Sequence, residues 1–492
     1  MISTFIQKFS GFRNKIFNLF QYRADATMDL IDAIAGQPAK ESVVKLSLSN
    51  LFRREYSSIN DSVKYLFRKK NNKIAAPHEV KEGQEKVTEA IIEELCPKPK
   101  VKNFHLFAVD CTPNPRVHAK KLDDRGYVHS SNSVPGQKPI TVGHQYSSVV
   151  HLPEKELSTI PPWVIPLSTL RINSDESGTC VGMSQVVKIV NYEKFKKELC
   201  VSVSDSAYSN SRCMSIAKEQ NNLVNIARIR NNRKFYLPII QKAEEHKKPG
   251  RPKKYGDRWD LNDPEKADKT VTVTRFSKKG NEFYLKIEVW YNRLEKGHTG
   301  KRSENAEFLV EKSDPFLFDA IKVTVLDKNE NPKHKKPLWL MVVGEQRRSL
   351  CLEDIADCYF RRFDIEHYFR FAKQKLLLDK FQTPEVRHEE NWHWLCLMSY
   401  NMLYGSKELA RLVKNKWETK KSGDQESYFP TPTEVQRDYE RIIGGIGTPS
   451  RIPKPRGKAP GRPEGFKAEA RKDKKIIKKS KKSLDEIEKT AA

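Results

Sequence analysis

Apolar residues at Phe5, Phe9, Phe12, Ile16 and Phe20 recur at spacings of three and four, which predicts one helix over 2–21 with a single apolar face. A second amphipathic stretch covers 85–95, so residues 1–100 read as a helical region. Asn71-Asn72-Lys73 and Pro97-Lys98-Pro99 interrupt it, the second marking a boundary. Beyond that point the period falls to two. Phe104–Val109 reads as an apolar strand that stops at Asp110, Ile140–His151 alternates like a strand, and Leu199–Val203 is a strand that stops at Asp205. A helix is expected over 183–198 and a further strand over 223–229, which ends among Arg228, Arg230 and Arg233. From about 240 a Pro/Gly/Lys loop opens a second β-rich stretch, with strands at 270–274, 283–291, 323–326 and 338–343. Residues 349–375 carry the longest helical pattern, and 390–413 another helix.

Charge narrows the function. The 492 residues hold 90 Lys and Arg against 63 Asp and Glu, a formal charge of +27, which points to a polyanionic partner, nucleic acid ahead of a membrane surface. A merely soluble basic protein is the plainer alternative. The tail from Arg451 to Lys482 has fourteen Lys and Arg against three acids, a run suited to embracing phosphates. The eight cysteines are scattered without a C-x-x-C pair, as expected of thiols in a cytosolic protein rather than a disulfide frame or zinc cluster. No apolar run reaches bilayer length. The acid-free first 23 residues look superficially like a transit peptide, but their apolar face reads as a structural helix.

Two carboxylates, Asp110 and Asp205, each follow an apolar strand, where a side chain can reach the rim of a sheet; an ordinary turn aspartate would look the same. The helical pattern near 359–373 is more specific. Tyr359, Arg362, Glu366 and Lys373 fall at roughly 0°, 300°, 340° and 320° on a wheel of ~100° per residue. They share one polar stripe on a helix otherwise rich in Phe and Tyr. Such a stripe must face a cavity, a ligand or paired charges. An i,i+4 ion pair between Arg362 and Glu366 would account for two of the four.

Tyr359-Phe-Arg-Arg362-Phe-Asp-Ile-Glu366-His-Tyr-Phe-Arg-Phe-Ala-Lys373 resembles the Tyr-x2-Arg-x3-Glu-x6-Lys signature of a subgroup of DDE transposases of bacterial insertion sequences. The resemblance extends from about residue 100 to 400. It implies an α/β fold with an RNase H-like core in two parts, 101–239 and 348–420, interrupted by a β-rich insertion at 240–347. A helical DNA-binding region at 1–100 and a basic C-terminal tail at 421–492 would flank it. It further implies that Asp110, Asp205 and Glu366 form a catalytic triad holding two Mg²⁺ ions, which Mn²⁺ could replace. Tyr359, Arg362 and Lys373 would contact phosphates, Trp339 in Pro337-Leu-Trp339-Leu-Met-Val would stack on a flipped base, and Arg228 would touch DNA. Trp339 can equally be a core tryptophan and Arg228 a surface cation. The partners implied are the terminal inverted repeats, target DNA and a second subunit, within the cytoplasm of a bacterium.

Pro249-Gly-Arg251-Pro252 and Pro460-Gly-Arg462-Pro463 are half-motifs for minor-groove hooks, or simply basic linkers. Two other classes stay open: a transposase-derived DNA-binding protein without catalysis, and an RNase H-like nuclease that cuts without joining.

Overall fold

Strand register decides where the two aspartates meet. In the computed structural model, β1 (Phe104–Pro115) runs antiparallel to β3 (Ile140–His151). The other edge of β3 takes β4 (Ile165–Ile172) and the short β2 (Gly126–His129), both antiparallel. On its far side β1 runs parallel to β5 (Leu199–Ser204), and β5 parallel to β6 (Leu223–Arg228). Parallel neighbours need a long connection. Here the chain passes through α5 (Gly178–Val190) and α6 (Glu193–Lys196) before β5, and through α7 (Ser211–Lys218) before β6. The structure describes residues 2–36, 42–130, 139–155, 161–239, 253–277, 280–297, 314–412, 429–455, 461, 463–467 and 469–478.

Two expectations need correction here. β1 does not stop at Asp110 but continues to Pro115, because β3 pairs with it throughout, from Phe107 opposite His151 to Pro115 opposite Gly143. Only the parallel partner ends early, with Ala108 opposite Val203. The helix expected over 183–198 is two helices, α5 and α6, the first beginning five residues earlier at Gly178.

The second β-rich stretch extends the same sheet. It contributes β7 (Phe235–Tyr236), β8 (Arg258–Trp259), β9 (Lys269–Phe276), β10 (Glu282–Glu295), β11 (Phe316–Leu326) and β12 (Leu338–Val343). β12 pairs antiparallel with β6, and the order β12-β11-β10 carries the sheet outward to twelve strands among the described residues. Several strands outrun the expected ranges, since their ends alternate less clearly than their middles. A register shift between Trp290 and Arg293 bends β10, with Asn292 at φ 55°. This part has its own small core, in which Trp259, Trp290 and Trp339 pack together with Phe235 and Phe318.

The remaining helices are α1 (Ile2–Asn18), α2 (Ala24–Ala35), α3 (Tyr56–Lys64), α4 (Pro77–Leu95), α8 (Leu352–Phe360), α9 (Asp364–Lys375), α10 (Val386–Leu412) and α11 (Pro432–Ile446). The longest is α10, at 27 residues, rather than the helix bearing the signature. It is buried on nearly every side because α1, α2, α3, α4, α11 and β4 all pack against it. Buried acids on α2 tie this layer together. Asp32 accepts from Arg13 (2.5 Å) and the Tyr439 hydroxyl (2.9 Å), and Asp29 pairs with Arg53 (2.8 Å) and Arg54 (3.1 Å). All eight cysteines are free thiols. No helix among the described residues is long and apolar enough to cross a membrane. The half-motif around Arg251, residues Pro460 and Arg462, and the tail beyond residue 478 lie outside the described residues.

Candidate active site

The parallel register of β1 and β5, carried two residues past its last pair, sets Asp110 level with Asp205. Asp110 lies inside β1 opposite Ser148 of β3. Asp205 follows β5 in a tight turn, where its Oδ1 accepts the Ala207 amide (2.9 Å). Two arginines secure that turn: Arg230 donates to the Ser206 hydroxyl (3.2 Å) and Arg233 to the Ser209 carbonyl (2.8 Å).

The third acid arrives from the far end of the chain. Gly344 follows β12 with φ 135°, and a side chain there would meet the Leu223 carbonyl at 2.3 Å. The chain then enters α8. The single helix expected across the signature is interrupted: α8 and α9 are joined by a 3₁₀ turn at Arg361–Phe363. This tighter turn takes the four signature residues off one straight stripe. Tyr359 and Arg362 are buried, whereas the Glu366 side chain is 45% exposed. The Arg362 guanidinium lies between two of the acids, with Nη1 at 3.5 Å from Asp110 Oδ2 and Nη2 donating to Glu366 Oε1 (2.9 Å). So the i,i+4 ion pair is present, and Arg362 reaches Asp110 as well.

Burial, first of all, pushes the Asp110 carboxyl up to about 6, and the negative charges of Asp205 and Glu366 push the same way. The Cys111 amide (2.8 Å) and Arg362 pull against them. The raised value reflects burial first, with the two neighbouring acids adding to it. Burial also raises the Tyr359 hydroxyl, opposed by Arg362 and Arg228. For Arg362, burial is outweighed by Tyr359, Asp110 and Glu366, which hold its proton more firmly.

The chain matches the family model of the DDE superfamily endonucleases over residues 15–295. It belongs to that family. The matched span takes in Asp110, Asp205 and Arg228 and ends before the signature helices. No curated protein matches the chain. For a DDE superfamily endonuclease the donor chemistry of this cluster fits a hard divalent cation, since all three acids offer carboxylate oxygens and one arginine leaves their charge incompletely balanced. Among the described residues, no three His, Cys, Asp or Glu side chains are gathered closely enough to hold an ion as they stand.

The other expected contacts are placed unevenly. Arg228 is exposed at the end of β6, with its charge felt by Tyr359. Lys373 donates to the Pro113 carbonyl (2.8 Å), docking α9 onto β1 three residues from Asp110; burial pulls its ammonium down. Trp339 is 3% exposed, packed 5.1 Å from the Trp290 ring and 5.9 Å from that of Trp259. This is the buried-strand alternative, and stacking on a base would require the cluster to open. Phe363, one of the aromatics expected to be buried around the signature helix, is instead 49% exposed, with its ring 4.4 Å from the Arg362 guanidinium carbon.

Proposed function

We propose that this endonuclease is a transposase of the insertion-sequence subgroup with the Tyr-x2-Arg-x3-Glu-x6-Lys signature. It cuts at the ends of a mobile element and joins the exposed 3′-hydroxyls to target DNA. The observation that carries this reading is Arg362, which links Asp110 on β1 to Glu366 on α9 while Asp205 bears on the same carboxyl. Acids from three distant segments act on one carboxyl, which supports a site for phosphodiester chemistry that closes further when metal binds. The order β4-β3-β1-β5-β6, with its antiparallel and then parallel pairing, supports an RNase H-like core.

Asp110, Asp205 and Glu366 would hold two Mg²⁺ ions. When bound, these would activate the attacking water or hydroxyl and offset charge on the phosphate. Arg362 keeps Asp110 and Glu366 oriented beforehand and is positioned to neutralise a phosphate oxygen. Tyr359, buried beside it, can donate a hydrogen bond at the same place. Lys373 fixes the approach of α9 to β1 and, once released from Pro113, would reach DNA. Two ends must be brought together, so the active species is a dimer on DNA.

The test is a labelled duplex carrying the DNA that flanks the gene, incubated with protein and Mg²⁺ beside Glu366→Gln. Cleavage at the element's ends and recombined strands, both lost in the variant while binding persists, are expected. Cleavage without joined products would leave a nuclease. Tight binding with no cleavage in Mg²⁺ or Mn²⁺ would leave a DNA-binding protein without catalysis.

A further inference from the structure

The basic tail is docked on the fold. Residues 469–478 carry no helix or turn and lie beside the connection between β1 and β2. The Lys474 amide donates to the Lys120 carbonyl (2.9 Å) and the Ile477 amide to the Arg125 carbonyl (2.8 Å). Ile477 also forms a parallel bridge with Gly126 at the start of β2. Ion pairs reinforce this register: Lys121 with Asp473 (2.7 Å), Asp123 with Lys474 (2.9 Å) and Glu385 with Arg471 (2.9 Å). Being exposed, these pairs contribute little individually, so the backbone bonds set the position.

Docking engages Asp473 and leaves Lys472, Lys475 and Lys478 exposed and outside those pairs. Exposed Lys120 and the ring of Tyr127, which is 53% exposed, lie on the segment they follow. The pairs across the seam leave these lysines as excess positive charge on both sides, which favours an anion running along both. Several exposed lysines beside an exposed aromatic ring suit a phosphate backbone better than a compact anion.

We propose that the docked tail and the β1–β2 connection form a second phosphate track for double-stranded DNA, apart from the contacts at the three acids. This rests on the DNA-cutting reading above. The track would hold the duplex in line while the acids act on one phosphate.

The experiment compares the full chain with a Lys472→Ala/Lys475→Ala/Lys478→Ala variant, binding a fluorescent 40-base-pair duplex in metal-free buffer over a range of salt. Loss of three phosphate contacts should make the slope of log K against log salt shallower by about 2.7. Hydroxyl-radical protection should vanish over a stretch of duplex away from the cut and persist at the cut itself. An unchanged slope with unchanged protection overturns the track. Cleavage by the unaltered protein in Mg²⁺ is scored separately. Cutting with an unchanged slope removes the track and keeps the endonuclease reading; a shallower slope without cutting does the reverse. No binding by the unaltered protein overturns both.

Discussion

Two carboxylates held by arginine, Glu389 and Asp110, differ in almost every respect. Glu389 on α10 is fully buried, and its oxygens accept from Arg116 Nε (2.6 Å), His144 Nδ1 (2.7 Å) and the Tyr146 hydroxyl (2.9 Å). Burial alone would raise it, but the His144 bond and the Arg116 charge win, holding it at about 2. Asp110, six residues before Arg116 on the same stretch of chain, shares one arginine with a second acid and rises to about 6. Glu389 is a saturated acid: it clamps the end of β1 and β3 to α10 and has nothing left to offer a ligand. Asp110 is undersupplied with donors and open on one side. The difference teaches how to separate a saturated structural carboxylate from a candidate for reaction when both sit beside arginine: count the donors that each one still lacks.

The contrast can be broken most forcefully at the chemistry. Glu366→Gln should lower cleavage at least ~1,000-fold, on the order of 4 kcal/mol in the barrier, while melting at nearly the same temperature. A variant that still cuts would remove Glu366 from the reaction. Glu389→Gln should do the opposite and destabilise the fold by about 3–5 kcal/mol at pH 7, because Arg116 is left buried without its counter-charge. Urea unfolding checks this. Glu389's folded value lies below its ordinary 4.5, so its contribution is complete above about pH 4.5 and fades as pH falls toward 2. The deficit of the variant should shrink over that window.

Asp110→Asn sharpens the comparison from the other side. The folded value of Asp110 lies above its ordinary 3.8, so stability is lost as pH rises from about 3.8 through about 6. In metal-free buffer at pH 7 the variant should be more stable than the unaltered protein by about 1–3 kcal/mol, with no gain below pH 3.5. Equal stability at both pH values would mean that Asp110 is not strained by burial. The smallest effect is expected from Lys373→Met, which removes one bond to the Pro113 carbonyl and should cost about 1 kcal/mol in urea unfolding. No change there would show that α9 docks without it.

Where pattern and packing agree, the elements were legible in the sequence. The strands Ile140–His151 and Leu338–Val343 appear with the bounds their side chains suggest. Cys111 to Pro115 did not read as strand, since its two prolines and polar residues lack alternation; only pairing with β3 holds it extended. The break in the signature helix was hidden because a 3₁₀ turn of three residues barely alters spacings of three and four. The meeting of Asp110, Arg362 and Glu366 was suggested by residue type and spacing. The Glu389 cluster was invisible: His-Glu-Glu-Asn looks like solvated surface, and its partners sit 243 to 273 residues away.

The pairing of β12 with β6 has an evolutionary consequence. After Arg228 the chain runs out through β7–β11 of the same sheet and comes back in β12, where Leu340 pairs directly opposite Arg228. The inserted strands thus begin and end at neighbouring positions, so their outer part can lengthen, shorten or be exchanged while β6 and β12 stay paired. Such a socket lets a lineage exchange a whole surface in a single step while the strands that carry the acids are inherited unchanged.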